Sequence, residues 1–300
     1  MGTNLDNSVT AQSATALYRS VAPQLIHCGD ASIAVRRYGT GPALLLIHGF
    51  PTNSFTWYAI LPQLAESFSC YAIDLPGLGA SVWDEASDLT FSGQVRRLSS
   101  LTELLGLASF GVVAHDTGAT IARLLALAQP EKVTHLALIN TEIPGHRPPW
   151  IPQHQLAALL PAAALIFQRL LGLRQFRRSA AGFAAFYCDP DKLDQPLFLD
   201  AYVRPMLASR TAVQGALRYL RGIEWRLVDE LAIKHRQITA KTMLLWGEND
   251  PTFPLHRAKA MAKQFEPAAS LVVIADAKLL PHEDKPAQLL SNLLPFLSLV

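Results

Sequence analysis

Ala114-His115-Asp116-Thr117-Gly118 stands where an aliphatic run, Phe110-Gly-Val-Val-Ala114, gives way to the helical spacing of residues 119–128. A sharp strand-to-helix turn that presents a reactive side chain needs small residues two before and two after it, because the turn crowds both flanks. Ala114 and Gly118 meet that requirement, and the central residue is a carboxylate rather than a serine or cysteine. The pentapeptide has two readings. Asp116 is either a nucleophile on a strained elbow or a helix N-cap, a role worth about 0.5–2 kcal/mol.

Short β-branched and aliphatic runs at 24–28, 32–38, 43–48, 70–74, 110–114, 133–139, 242–246 and 271–275 alternate with helical patterns, clearest at 91–107, 119–128 and 287–297. Such alternation predicts an α/β chain with a mostly parallel, doubly wound sheet. Between Glu142 and Ala240 the alternation stops. Pro144, Pro148, Pro149 and Pro152 open a stretch otherwise helical and rich in Ala, Leu and Arg. A helical lid inserted over the C-terminal edge of the sheet is the expectation, since open α/β sheets place their sites there. The domain reading is a tail over 1–23, a core over 24–142 and 241–300, and a helical cap over 143–240. The uncharged run 156–167 is expected to line an entrance for an apolar substrate; at 12 residues it falls short of the roughly 20 needed to span a membrane.

Composition narrows the function. Half the residues are hydrophobic and 17% are charged, enough apolar material for a large core. A formal charge of +2 gives no polyanion-binding surface, so no nucleic-acid partner is expected. Three scattered cysteines, Cys28, Cys70 and Cys188, make neither a disulfide framework nor a metal site. Gly77-Leu-Gly79 lacks the third glycine of a dinucleotide fingerprint. No cofactor, metal or membrane contact is expected. Residues 1–16 show neither a basic nor an apolar signal segment, from which a cytoplasmic location is expected.

Three further loops fall at strand ends and would converge with the elbow on one face: His48-Gly49-Phe50-Pro51, the loop from Asp74 to Ser81, and Gly247-Glu-Asn-Asp250. With them the chain resembles the α/β-hydrolase superfamily, and within it the branch with an aspartate nucleophile: epoxide hydrolases and haloalkane or haloacetate dehalogenases. His48-Gly-Phe-Pro-x5-Trp57 and Leu138-Ile-Asn-Thr141 look more like the epoxide hydrolases. The resemblance implies the α/β-hydrolase fold, with Asp116 as nucleophile and Phe50 and Thr117 as backbone donors to an oxyanion. It implies Asp250 as the charge-relay acid, with Glu142 a weaker alternative, because Asn140 occupies the position some dehalogenases use for that acid. Tyr219 falls where a ring-opening tyrosine sits. Phe183 stands near the place of a second lid tyrosine, with Tyr187 beside it. His48, Trp57, His115, Glu142, Phe183 and Tyr187 are expected around a small apolar substrate.

One departure matters. The family's base lies in a pattern like D-x-G-H-x-P-H-E-E-K-P, whereas this chain reads Asp276-Ala-Lys278-Leu279-Leu-Pro281-His282-Glu-Asp-Lys-Pro286. The right half matches, so the register holds and Leu279 stands where the histidine belongs. Among the nine histidines, His282 is the first substitute, with His146 and His154 in the lid behind it. The expected activity is hydrolysis of a small apolar electrophile, most like an epoxide, through an alkyl-enzyme ester whose breakdown is impaired or altered. A ligand-binding or signalling protein on the same scaffold, a dehalogenase, and a non-hydrolytic lyase or cyclase are the alternatives.

Overall fold

The computed structural model describes residues 12–148 and 150–298. Eight strands form one sheet: β1 Gln24–Cys28, β2 Ala31–Tyr38, β3 Ala43–Ile47, β4 Ser69–Asp74, β5 Phe110–His115, β6 Val133–Ile139, β7 Lys241–Gly247 and β8 Ser270–Ile274. Their order is β1-β2-β4-β3-β5-β6-β7-β8. β1 and β2 join by antiparallel pairing, and every pair from β4 through β8 is parallel. The central strands are aliphatic on consecutive residues because both sheet faces are covered: Leu44 through Ile47 and Val112 through Ala114 are all buried.

Helices α1 (Phe91–Leu104) and α2 (Thr117–Ala128) pack against the sheet and each other. α2 starts at the elbow and is buried along most of its length, which its small residues allow. After Ile139 the chain leaves the sheet and returns at Lys241, having formed α3 (Trp150–Ala157), α4 (Ala163–Gly172), α5 (Arg210–Arg221) and α6 (Trp225–Lys234) with shorter turns between. α5 is the most amphipathic of these: Val213, Ala216, Leu217, Tyr219 and Leu220 face inward, while Arg210 and Arg221 are exposed. The apolar run 156–167 does not form one helix; the chain breaks between α3 and α4 around Pro161, whose ring cannot continue the first helix. α7 (Leu255–Ala262) and α8 (Pro286–Leu297) complete the core.

The expected N-terminal tail is in part ordered packing. Residues 12–19 are helical, Ala14 and Tyr18 are buried, and the Tyr18 hydroxyl meets Ser54 Oγ at 2.6 Å. The apolar face of that short helix was hidden from periodicity by its length. Residues 1–11, most of the stretch searched for a signal segment, lie outside the described residues, as does Pro149. No helix among the described residues is long and apolar enough to cross a membrane.

Candidate active site

Asp116 sits at φ 51°, ψ −131°, and its side chain makes no capping bond to α2. The N-cap alternative therefore fails, and the left-handed backbone is strain that a residue outside a functional site rarely carries. Its own N–H is tied to the end of β6, donating to the carbonyls of Ile139 (3.1 Å) and Asn140 (2.9 Å). A Cβ on Gly118 would collide with the His48 carbonyl, and one on Gly49 with the Asp116 side chain, so glycine is required at both places. That closeness lets the Phe50 N–H donate to Asp116 Oδ2 at 2.8 Å. The adjacent Thr117 N–H also favours the charged form of this carboxyl. Burial, then the neighbouring Glu142 carboxyl and more weakly Asp250, push the Asp116 carboxyl well above the usual range against those two donors.

Asp116 opens into a cavity of about 360 Å³. Phe50, Thr117 and Phe253 line its core side; Trp150, Ile151, His154, Ile166, Phe167, Phe183, Phe186 and Leu217 line its lid side. The polar exceptions in this wall include Asp116, Glu142, Thr117, Thr252 and His154, and among the described residues no lysine or arginine contributes to it. Leu160, Ala163, Ile166 and Phe167 of the apolar run form wall, while Leu156, Leu159 and Leu165 face outward.

A model of the alpha/beta hydrolase fold matches residues 42–286. The chain belongs to the α/β-hydrolase family. Its relatives include human Epoxide hydrolase 4, 24% identical over 260 residues that cover 82% of this chain and 69% of that protein. Fluoroacetate dehalogenase from a Burkholderia species is 31% identical over a shorter stretch, 41% of this chain and 42% of the other. Among solved structures, an alpha/beta hydrolase fold protein from Burkholderia ambifaria superposes with a TM-score of 0.76 at 21% identity, covering 91% of this chain and 99% of that one.

In this α/β-hydrolase the loop after β8 closes the cavity with a hydrocarbon. Leu279 lines the wall, held by its N–H to the Ala185 carbonyl (3.1 Å) and by its carbonyl, which accepts from His115 Nε2 at 2.8 Å. His282 does not reach the cavity. It is fully buried away from the cavity, between the rings of Trp57 (4.9 Å) and His115 (4.7 Å). Thr56 donates its hydroxyl hydrogen to Glu283 Oε1 at 2.5 Å, so His282 Nε2 must donate to Thr56 Oγ1 across 2.7 Å. Burial holds the imidazole neutral, well below its ordinary range. The three-residue offset and Pro281, which starts the short helix Pro281–Asp284, carry His282 past the site.

Asp250 lies behind the wall without an imidazole partner. Its Oδ2 accepts from Asn140 Nδ2 (2.6 Å) and its Oδ1 from the Thr252 N–H (2.7 Å). Burial pushes it up to about 7 in spite of these donors. Asn140, at φ 29°, also accepts from the Gly247 N–H (2.9 Å), so one side chain joins the ends of β6 and β7 to the acid loop. Its place after β6, where some dehalogenases carry an acid, was the only sequence signal for it.

Tyr219 is fully buried on α5 and is not part of the cavity wall; its hydroxyl donates to Thr117 Oγ1 at 3.0 Å, and its ring stacks on Phe50. Of the expected substrate neighbours, Glu142 and Phe183 line the cavity. The others are walled off by their hydrogen bonds and packing. His48 Nε2 accepts from the Leu75 N–H (2.9 Å) while Nδ1 donates to the Gly49 carbonyl (2.8 Å). Trp57 and His115 pack against His282, and Tyr187 donates its hydroxyl to Glu283 Oε2 at 2.6 Å. The Asp74 loop is structural: its carboxylate accepts from the Ser54 and Ala80 N–H groups. Sequence reasoning missed the wall residues Trp150 and Thr252 and the buried acceptor Glu283, none of which sits in a spacing that marks a site.

Proposed function

We propose that this chain hydrolyses neutral, apolar electrophiles, best an epoxide, through an ester formed on Asp116. The observation that carries the reading is the Asp116 carboxyl itself, strained at the elbow, uncapped, and facing an apolar cavity with Oδ2 held by the Phe50 N–H. Oδ1 is then the attacking atom. It forms a bond to an epoxide carbon, the ring C–O bond breaks, and the ring oxygen takes a proton. Water next adds to the Asp116 carbonyl carbon, and the oxyanion that develops on Oδ2 already has its backbone donors.

The wall argues for a neutral substrate. A haloacetate would bring its own carboxylate against Asp116 and Glu142 with no lysine or arginine to meet it. Human Epoxide hydrolase 4 supports the epoxide choice at low identity. Leu279 in place of the usual base favours a second reading, a cavity that binds or traps a ligand once without turnover.

Incubation of the wild type and Asp116→Asn with styrene oxide and other aryl and alkyl epoxides, read by intact mass and by chromatography of diols, tests both. Diol or a covalent adduct mapped to Asp116, absent in Asp116→Asn, supports the reading. Neither product nor adduct across the panel overturns it.

A further inference from the structure

Glu142 is the second carboxyl in the cavity wall, and only 2% exposed. Its Oε2 accepts from Thr120 Oγ1 at 2.6 Å and lies 3.1 Å from Thr141 Oγ1. Thr141 Oγ1 is also 2.9 Å from the Asp116 carbonyl oxygen, which places the carboxyl beside the elbow. Arg123 Nη2 donates to both threonine oxygens (2.7 and 2.9 Å) and to the Glu142 main-chain carbonyl (2.9 Å). The threonine hydrogens are thus free to point onward, and no ion pair joins Arg123 to the Glu142 carboxyl. The groups that act on Glu142 are Asp116, Arg123 from α2 and Tyr219 from α5, and His154 from α3 in the lid lines the same cavity.

We propose that Glu142 is the catalytic acid and base of this enzyme, the Asp116–Glu142 pair holding one proton and one negative charge through both steps. The inference rests on the ester chemistry proposed above. Two carboxyls this close in an apolar wall do not ionise together. The form of the pair that reacts has Asp116 ionised and Glu142 protonated. Attack by Asp116 Oδ1 opens the ring while Glu142 gives its proton to the ring oxygen, leaving a neutral hydroxyalkyl ester and a Glu142 carboxylate. With the Asp116 charge gone, Glu142 is free to act as a base. It takes a proton from water as the hydroxyl adds to the Asp116 carbonyl carbon. The bond from the carbonyl carbon to the alkyl-bearing oxygen then breaks, that oxygen takes the second water hydrogen from the newly added hydroxyl, and the starting pair is restored with the diol released. No other residue is required to change protonation.

The test uses Glu142→Gln, which keeps the shape and an acceptor for Thr120 but cannot exchange protons. A neutral primary alkyl bromide separates the steps, since bromide leaves without a proton; Glu142 then releases its proton to solvent once the Asp116 charge is gone, and only after that acts as base. In Glu142→Gln the bromide should still form the ester on Asp116, seen by intact mass and peptide mapping, while its hydrolysis falls about 10²–10⁴-fold. Glu142→Asp, with its shorter reach, should recover part of that loss, and Thr120→Val should lose roughly tenfold. Thermal melts check that each variant is folded. Hydrolysis by folded Glu142→Gln at the wild-type rate overturns the role of Glu142 and leaves the Asp116 chemistry standing. A wild type that accumulates ester without release overturns it as well. Absence of any ester in the wild type removes the Asp116 reading and this inference with it.

Discussion

The carbonyl oxygen of Leu279 accepts a hydrogen bond from His115 Nε2 at 2.8 Å, so the loop after β8 is pinned to the residue next to Asp116. The backbone of this loop is therefore held beside the elbow, and Leu279 is the side chain it carries into the cavity.

Leu279→His should put an imidazole into that wall in front of Asp250. In the wild type Asp250 has no imidazole to orient, and Asp250→Asn should alter steady-state epoxide turnover by less than about threefold. In the Leu279→His background the same change should cost at least about tenfold, because the new base depends on its acid. Equal effects of Asp250→Asn in the two backgrounds would contradict the placement.

Asp116→Asn should stabilise the protein while it removes ester formation. The asparagine oxygen can still accept from the Phe50 and Thr117 N–H groups, and the cost of burying charge next to Glu142 disappears. A gain of about 1 kcal/mol corresponds to a Tm rise of roughly 2–4 °C in a chain of this size, read by calorimetry at pH 8. A fall in Tm would count against a charged, strained Asp116.

The Asp250 carboxyl rises from 3.8 to about 7 on burial. Between those values the folded state binds more protons than the unfolded one, so this group's contribution falls as pH rises from 4 to 7, by up to roughly 4 kcal/mol. His48, His115, His235 and His282, buried with depressed values, act in the opposite direction over the same range. The signature is accordingly a difference: Asp250→Asn should gain stability relative to wild type as pH rises from 5 to 8. Urea denaturation at both pH values measures it, and parallel pH dependences would refute it.

Glu283 clamps the lid to the core. Its buried carboxyl accepts from Tyr187 (2.6 Å) and Tyr202 (2.7 Å) of the lid and from Thr56 of the core. Tyr187→Phe and Tyr202→Phe should each cost about 1.5–3 kcal/mol, the range for a hydrogen bond to a charged group, and should make the lid easier to cleave in limited proteolysis. Values near zero for both would mean the carboxyl is satisfied from elsewhere.

Much of the fold is legible in the residues because its causes are local. β6 at Val133–Ile139 and α2 after Gly118 follow from aliphatic runs and small-residue spacing that few other structures satisfy. Asp116 is legible for the same reason, since Ala114 and Gly118 leave room for one kind of turn. The lid interior is less so: Pro161 shows only as a break, and nothing in the spacing of Trp150 or Thr252 marks them as wall.

The amino-acid order by itself determined the strands, the elbow and the leucine at 279, because each is a matter of neighbours along the chain. Only the tertiary structure decided that His282 is sealed between Trp57 and His115, that the Tyr219 hydroxyl turns to Thr117, and that Glu142 shares a wall with Asp116. Those outcomes depend on hydrogen bonds between residues as far apart as Thr56 and His282, and a side chain's direction is set by the partners folding brings to it.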